Sequence, residues 1–260
     1  MKILFIGDIV GRPGRRALRE HLSAVQQDQE IDLTIANVEN CAGGFGVLPK
    51  LAEQILAMGV DVMTSGNHIW DKKDVLDYIG QQPLLLRPGN FPPGNPGAWS
   101  AVVESKSGVP VAVANLQGRV FMAPIDCPFQ MAEREIPRLK QKAPVVFLDF
   151  HCEATSEKEA MGWFLDGQVS CVVGTHTHVA TADARVLPGG TAYVTDVGMT
   201  GPRDAIIGMK IEPSLARLRT ARSHRFAVAK GAVIFNSVVV DVDEETGLAR
   251  SIHRVDRVSE

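Results

Sequence analysis

Acids, amides and histidines follow five separate apolar segments of this sequence. The segments KILFIG, LTIAN, VDVMTSG, VVFLDF and VSCVVGT lead into Asp8, into Glu39 and Asn40, into Asn67 and His68, into His151, and into His176 and His178. Short apolar segments rich in β-branched and aromatic residues are typical of strands. Since side chains just beyond the carboxyl ends of strands in an open α/β sheet converge on one crevice, we expect these residues to form one site.

The chemistry of this set points to metal ions. His176 and His178 are two residues apart, and in an extended segment such residues point to the same side, so both imidazoles are predicted to face one centre. Three histidines with several carboxylate or amide oxygens exceed the four ligands of a tetrahedral zinc and suit two ions that share a carboxylate. Two metals about 3.5–4 Å apart activate water and stabilise both oxygens of a phosphoryl displacement. The residue types therefore predict a dinuclear phosphoesterase.

Strands and helices alternate along much of the chain and are expected to position these residues. The predicted strands are 2–7, 32–37, 60–66, 144–150 and 169–175, and the predicted helices lie near 13–29, 49–58, 71–79, 129–141 and 154–167. Asp71 is predicted to cap the third helix. This alternation is typical of a parallel sheet with helices packed on it.

The middle and the tail of the chain are richer in strand-like sequence. Residues 84–128 contain a loop rich in proline and glycine and then two strand-like segments without a long helix between them, which predicts a second sheet or an extended hairpin. From about residue 184 the pattern is mostly β, with one short helix near 213–221.

Length and composition favour one compact enzyme-sized unit. The chain has 260 residues, of which 45% are hydrophobic and 22% charged, so we predict a single domain over residues 1–260. No segment reaches the roughly 20 apolar residues of a membrane span, and a cytoplasmic location is expected. The net charge of −3 gives no overall attraction to nucleic acid or membrane. The four cysteines lack C-x-x-C spacing and are expected to be reduced thiols.

Five ordered motifs resemble those of calcineurin-like metallophosphoesterases and, more closely, those of the bacterial YmdB-like branch. The motifs are GDIVG, NVEN, GNHIWD, DFHCEAT and GTHTHV, and the branch also shares the stretch TDVGMTGP. The similarity extends through essentially the whole chain. It implies a four-layered α/β/β/α sandwich in which two mixed sheets are flanked by helices.

The resemblance also implies roles for the residues at the strand ends. Asp8, Glu39, Asn40 and His178 would hold one metal, and Glu39 would bridge to a second metal held by Asn67, His151 and His176. His68 would face the phosphate as a general acid or an electrostatic stabiliser. The implied reaction is hydrolysis of phosphodiesters such as 2′,3′-cyclic nucleotides, by attack of a hydroxide that bridges the metals.

The first motif departs from the pattern of the wider superfamily, which usually reads Asp-x-His. Here Asp8 is followed by Ile9 and Val10, and the bridging position holds Glu39 rather than an aspartate. We expect the Asn40 amide oxygen to replace the missing imidazole. An oxygen in place of a nitrogen makes the site harder and favours manganese or ferrous iron over zinc.

Other functions remain open at the level of sequence. The same residues suit a phosphomonoesterase or protein phosphatase, or a non-catalytic regulator that binds RNA or nucleotides with a metal. The basic segment RLRTARSHRF (217–226) is interpreted as a solvated surface, with a patch for a polyanion such as RNA as the alternative. Exposed apolar segments in the middle of the chain make a homo-oligomer a further alternative.

Three more features lie beside the predicted site. Cys41 and Cys152 adjoin predicted ligands and are interpreted either as packing residues or as residues that support the ligands from behind. The segment TDVGMTGPRD (195–204) is expected to form a wall over the substrate, with its glycines allowing close approach of the backbone. Arg12, Arg15 and Arg16 either contact substrate phosphate or form a solvated helix face.

Overall fold

Fifteen strands and six helices form the structure, a computed structural model that describes residues 1–260. The strands are β1 (Lys2–Ile6), β2 (Asp8–Ile9), β3 (Leu33–Asn37), β4 (Val62–Thr64), β5 (Ser100–Glu104), β6 (Pro110–Gln117), β7 (Val145–His151), β8 (Cys171–Thr175), β9 (Arg185–Val186), β10 (Ala192–Val194), β11 (Met199–Pro202), β12 (Val233–Phe235), β13 (Ser237–Val242), β14 (Ala249–Arg254) and β15 (Arg257–Ser259). The helices are α1 (Gly11–Asp28), α2 (Pro49–Ala57), α3 (Val75–Ile79), α4 (Pro128–Lys140), α5 (Thr155–Phe164) and α6 (Ile211–Thr220).

Two mixed sheets contain most of the strands. The first has the order β14-β13-β1-β3-β4, in which β1, β3 and β4 are parallel and β13 and β14 are antiparallel additions. The second has the order β5-β6-β7-β8-β10-β9, in which the four central strands are parallel and both edge strands are antiparallel. Helical crossovers account for most of the parallel pairs, and short connections account for the antiparallel hairpins.

The two sheets pack face to face and carry helices on their outer faces. An apolar cluster between the sheets includes Phe5 and Phe147, whose ring centroids are 5.5 Å apart. A second cluster joins the first sheet to α1, α2 and α3, and a third joins the second sheet to α4 and α5. Because the central strands are covered on both faces, they read as continuous apolar runs in the sequence. The predicted four-layered sandwich is confirmed.

A third sheet was not predicted. It has the order β15-β12-β11-β2 and holds the chain directly after β1. Asp8 is paired in parallel with Met199 of β11. A Cβ atom on Gly7 would lie 1.9 Å from the carbonyl oxygen of Gly198, so only glycine allows the two segments to come this close. The TDVGMTGP segment therefore pairs with the backbone of Asp8 and helps to fix its position.

Most predicted elements are present, with shifted ends. The strand-rich middle contains the antiparallel pair β5 and β6, as predicted. Helix α3 begins at Val75 rather than at 71, and its N-cap is Asp74. The prediction that Asp71 caps this helix is therefore wrong. None of the helices combines the length and the apolar character that crossing a membrane requires.

Candidate metal centre

All eight predicted site residues lie at one end of the two main sheets. Asp8 begins β2, His151 ends β7, and the remaining residues follow the ends of β3, β4 and β8. Buried carboxylates, amides and imidazoles from both sheets meet there, because the parallel strands of each sheet end at the same edge. Their contacts fall into two groups that share Glu39.

The first group surrounds one nitrogen of His151. His151 Nε2 lies 3.1 Å from Glu39 Oε1, 3.0 Å from Asn67 Oδ1 and 3.0 Å from His176 Nδ1. Potential ligand atoms of Glu39, His151 and His176 all lie within 4.8 Å of one another. A Cβ atom on Gly66 would lie 2.1 Å from the His151 ring. The glycine before Asn67 therefore gives this imidazole its space.

The second group joins Asp8, Asn40 and His178. The Asn40 side-chain amide lies 3.1 Å from both Glu39 Oε1 and His178 Nε2. His178 Nε2 is 3.7 Å from Asp8 Oδ1. Asp8 is fully buried, and its Oδ1 atom has no hydrogen-bond partner. A buried carboxylate oxygen of this kind is costly unless a cation or a donor satisfies it.

The two histidines after β8 reach the site by a route other than the predicted extended one. The strand ends at Thr175, and both His176 (φ 95°) and His178 (φ 65°) have left-handed backbone conformations. Such conformations are uncommon for residues with a Cβ atom and cluster at functional sites. Each turn directs one imidazole to a different group. The i, i+2 geometry that was predicted for them is wrong.

Charge within the centre favours an ion pair between Glu39 and His151. Burial opposes ionisation of the Glu39 carboxyl, but the charge of His151 and its hydrogen bond outweigh burial and lower the pKa of Glu39 to about 2. Burial likewise opposes charge on His151, but the carboxylates of Glu39, Asp8 and Asp149 raise its pKa to about 9. In this structure a proton is therefore favoured on His151, in the middle of the first group.

The pKa values of His176 and Asp8, which lie beside this ion pair, shift in opposite directions. Burial and then the charge of His151 lower the pKa of His176 to about 3, which leaves this imidazole neutral and able to act as a ligand. Burial raises the pKa of the Asp8 carboxyl, while the charges of His178 and His151 oppose that rise. A cation bound beside Asp8 would, like those two histidines, lower the pKa of the Asp8 carboxyl.

These residues fit divalent metal ions. The set combines carboxylate, amide and imidazole donors, which suit iron and manganese, and it contains no thiolate. A cation would find buried ligand atoms in two places. One is the Oδ1 atom of Asp8, which has no hydrogen-bond partner, and the other is the cluster of three polar atoms around His151 Nε2. The geometry thus accommodates metal binding at both groups.

His68 lies at the side of the pocket rather than among the buried donors. Its backbone N–H donates to Glu39 Oε2 at 3.1 Å, and its Nδ1 donates to Asp71 Oδ2 at 2.8 Å. The Phe45 ring meets the imidazole edge to face at a centroid distance of 4.9 Å. Asp71 thus fixes the ring orientation and the Nδ1–H proton, which leaves Nε2 available for chemistry.

Asp149 supports the centre from below, and the sequence analysis missed it. Its carboxylate accepts hydrogen bonds from Asn37 Nδ2 at 3.0 Å, from Thr64 Oγ1 at 2.5 Å and from Thr175 Oγ1 at 2.7 Å. Thr175 Oγ1 lies 2.8 Å from His151 Nδ1. An acid inside the apolar run VVFLDF was the available signal, since a buried carboxylate needs partners.

A buried ion pair supports the histidine turn and was also missed. Lys158 Nζ lies 2.7 Å from Asp196 Oδ2, and both side chains are excluded from solvent. Asp196 also accepts from Thr177, at 3.2 Å from the backbone N–H and 2.6 Å from Oγ1. Thr177 lies between the two left-handed histidines, so Asp196 holds the middle of that turn. The signal was an acid inside the motif TDVGMTGP.

Several residues that adjoin the centre in sequence do not enter it. Burial raises the pKa of the Cys41 thiol to about 12 and that of Cys152 still further, which makes both inert. Arg15 donates to the Cys41 carbonyl and Arg16 to the Gly231 carbonyl. These arginines are used in packing rather than at the pocket.

An open pocket of about 480 Å³ lies above the metal centre. Its floor is Glu39, Asn40, His176 and His178, and Phe45 and His68 line one side. A further set of lining residues, here termed the outer wall, comes from residues 206–226 and consists of Ile206, Ile207, Met209, Arg217, Leu218 and Phe226. The prediction that TDVGMTGPRD (195–204) forms the wall is wrong, because no residue of this segment lines the pocket.

The basic segment 217–226 contributes both ends to the outer wall. Arg217 and Phe226 line the pocket, whereas Arg219, Arg222 and Arg225 do not. The Arg217 guanidinium carbon lies 4.9 Å from the centroid of the Phe226 ring. Interpreting the whole segment as a solvated surface therefore overlooked these two residues.

Comparison with known proteins finds relatives that match almost the whole chain. The model of the YmdB-like protein family matches residues 4–255. A 2′,3′-cyclic-nucleotide 2′-phosphodiesterase from Bacillus subtilis is 48% identical over 255 residues, which cover 98% of this chain and 96% of the relative. A hypothetical protein from Thermus thermophilus has a crystal structure with a TM-score of 0.93 and 40% identity, and each chain is covered completely. A phosphatase from Mycoplasma pneumoniae also has a TM-score of 0.93, with 34% identity over 99% of this chain and 93% of its own.

Proposed function

Because this chain belongs to the YmdB-like protein family, we propose that it is a metal-dependent phosphodiesterase that hydrolyses cyclic nucleotides, including 2′,3′-cyclic nucleotides. The Bacillus subtilis relative carries this activity in its name. The observation that carries the proposal is the convergence of ligand atoms of Glu39, His151 and His176 within 4.8 Å of one another, with Glu39 and His176 lining an open pocket. Carboxylate and imidazole ligands at this position would hold cations where an anionic substrate in the pocket can contact them.

Each of the two groups is proposed to hold one divalent ion. Asp8, Asn40 and His178 would hold the first, Asn67, His151 and His176 would hold the second, and Glu39 would serve both. Support comes from the two sets of contacts, since Glu39 Oε1 lies 3.1 Å from both His151 Nε2 and Asn40 Nδ2. Rotation of the Asn40 side-chain amide about its Cβ–Cγ bond would exchange Nδ2 and Oδ1 and present Oδ1 to the first ion.

Iron and manganese are the proposed metals. Asn40 supplies an oxygen in the place where the wider superfamily has a histidine, and harder donor sets favour these ions over zinc. When bound, two such ions supply Lewis acidity that lowers the pKa of water to about 7 and neutralises charge on the phosphoryl oxygens.

The protein side of the proposed reaction depends on His68. Asp71 accepts the Nδ1–H proton at 2.8 Å and holds the ring at the side of the pocket. Nε2 then protonates or stabilises the departing alkoxide as the phosphorus–oxygen bond breaks. The edge of His68 against Phe45 limits rotation of the imidazole. Orientation by a carboxylate is the usual support for a catalytic histidine.

Hydrolysis of bis-p-nitrophenyl phosphate and of 2′,3′-cyclic AMP by the Mn²⁺-loaded protein tests the proposal. We expect turnover that chelation abolishes. Glu39→Gln should lower kcat/KM by about 10²–10³-fold, the scale at which one preorganised electrostatic group acts. Glu133→Gln, an exposed position on α4, is the matched control and should retain wild-type activity.

Two results would count against the assignment. Full activity of Glu39→Gln would remove Glu39 from the site. Faster turnover of a phosphate monoester than of any diester would favour a phosphomonoesterase.

A further inference from the structure

The pocket has more room than a phosphate group requires. Its volume of about 480 Å³ falls in the range of about 300–1,000 Å³ typical of sites for whole small molecules. The floor is polar, whereas the outer wall contains five apolar side chains and Arg217. A ligand whose phosphate lies on the floor would therefore place an uncharged part against the outer wall.

Arg217 is the cation of the outer wall, and an aromatic ring positions it. Its guanidinium carbon lies 4.9 Å from the Phe226 ring centroid, and the side chain takes part in no salt bridge. Arginine is planar and stacks on flat rings, whereas lysine is a point charge. Because Arg217 is exposed, a flat ligand can reach it.

The outer wall is tied to the metal centre. The Ile207 carbonyl accepts a hydrogen bond from His178 Nδ1 at 3.0 Å. The segment that carries Phe226 pairs with the start of α6, where Lys210 N–H donates to the Ala227 carbonyl at 2.9 Å. These two hydrogen bonds therefore help to fix the position of the outer wall relative to the floor.

From these observations we propose that Arg217 and Phe226 form a platform on which the base of a nucleoside phosphodiester stacks, an inference that rests on the proposed phosphodiesterase function. Bases stack on aromatic rings and on guanidinium planes without requiring a particular sequence. The apolar neighbours Ile207 and Leu218 suit a base better than a second phosphate. The platform selects nucleotides over other phosphodiesters.

The test compares two substrates that differ by the base alone, 2′,3′-cyclic AMP and methyl β-D-riboside 2′,3′-cyclic phosphate. In Mn²⁺-loaded protein, Arg217→Ala and Phe226→Leu should each lower kcat/KM for the nucleotide by about 5–50-fold, the range of one stacking contact. The base-free substrate should change by less than about twofold. Arg217→Lys should behave like Arg217→Ala, since it keeps the charge and loses the plane.

Arg219→Ala is the matched control, since it removes the same charge from a residue outside the pocket, and it should leave both substrates unaffected. Wild-type activity in Arg217→Lys would indicate an anion contact and overturn the platform. Equal losses on both substrates would also overturn it, because they would indicate a structural defect.

The wild-type protein separates this inference from the function on which it rests. If it turned over both substrates equally well, the platform alone would be refuted. If it hydrolysed neither, the proposed function would fail and the platform would fall with it.

Discussion

The metal centre and the outer wall border one pocket but are held in different ways. Asp8, Glu39 and His151 are fully buried, and the centre is supported by hydrogen bonds from both sheets. On the outer wall, Ile207 is 51% exposed and Leu218 is 76% exposed. Buried polar groups tolerate little change, because each lost partner carries a desolvation penalty. The side chains of the centre are therefore expected to tolerate few substitutions, whereas the exposed side chains of the wall are expected to tolerate more.

The largest effect is expected for the buried ion pair beneath the histidine turn. Lys158→Met leaves the Asp196 carboxylate buried without its cation, and we expect the free energy of unfolding to fall by about 3–5 kcal/mol. Urea denaturation monitored by circular dichroism measures this loss. Lys140→Met, an exposed position on α4, is the control. A loss below about 1 kcal/mol would show that the pair does not support the turn.

Thr175→Val tests whether the layer below the centre controls the metal. The substitution keeps the side-chain shape but removes the hydroxyl between Asp149 and His151. We expect Mn²⁺ affinity to fall by about 10–100-fold, as is typical when the partner of a metal-binding histidine is removed. Isothermal titration calorimetry measures the affinity. Thr34→Val, buried in β3 away from the centre, should bind Mn²⁺ like the wild type.

The pH dependence of the unfolding free energy of the metal-free protein tests the ion pair of Glu39 and His151. The pKa of His151 is raised to about 9, so its stabilisation is fully present below the ordinary value near 6.5 and is lost as the pH rises through 9. The unfolding free energy should therefore fall above pH 7, by at most about 1.4 kcal/mol per pH unit. Urea denaturation in EDTA measures the slope, and His151→Gln should remove it. An unchanged slope in that variant would assign the titration elsewhere.

The smallest effect is expected at the outer wall. Leu218→Ser removes a side chain that is 76% exposed, so the free energy of unfolding should change by no more than about 0.5 kcal/mol. The same urea measurement applies. A loss as large as that of Lys158→Met would mean that the wall is as firmly held as the centre, and the contrast between the two regions would disappear.

Much of the fold was readable from the sequence. The alternating strands and helices are present, and the β-rich middle and tail complete the two mixed sheets. The resemblance to YmdB-like proteins is confirmed by the family match and the relatives. The third sheet was not predicted, because β2 and β11 contribute two and four residues. Strands this short have no recognisable alternation.

The residues of the candidate site were likewise predicted only in part. The eight residues were predicted because donor side chains follow apolar runs, a local pattern that one chain displays without any partner. Asp149, Lys158 and Asp196 were not predicted, because their partners lie far away in the sequence and only the fold shows that they are paired. Arg217 belongs to a basic segment whose composition indicates a solvated surface, and only the fold places it in the pocket beside Phe226.

By itself, the sequence determined which donors are available and the order in which strand ends present them, since residue type and apolar periodicity are local properties. The tertiary structure alone decided the distances between these donors and Glu39 and the left-handed turns that separate His176 from His178. It also decided which side of the pocket is apolar. These features depend on sheet register and on contacts between residues far apart in the chain, such as the bond between His178 and Ile207, and no local pattern encodes them.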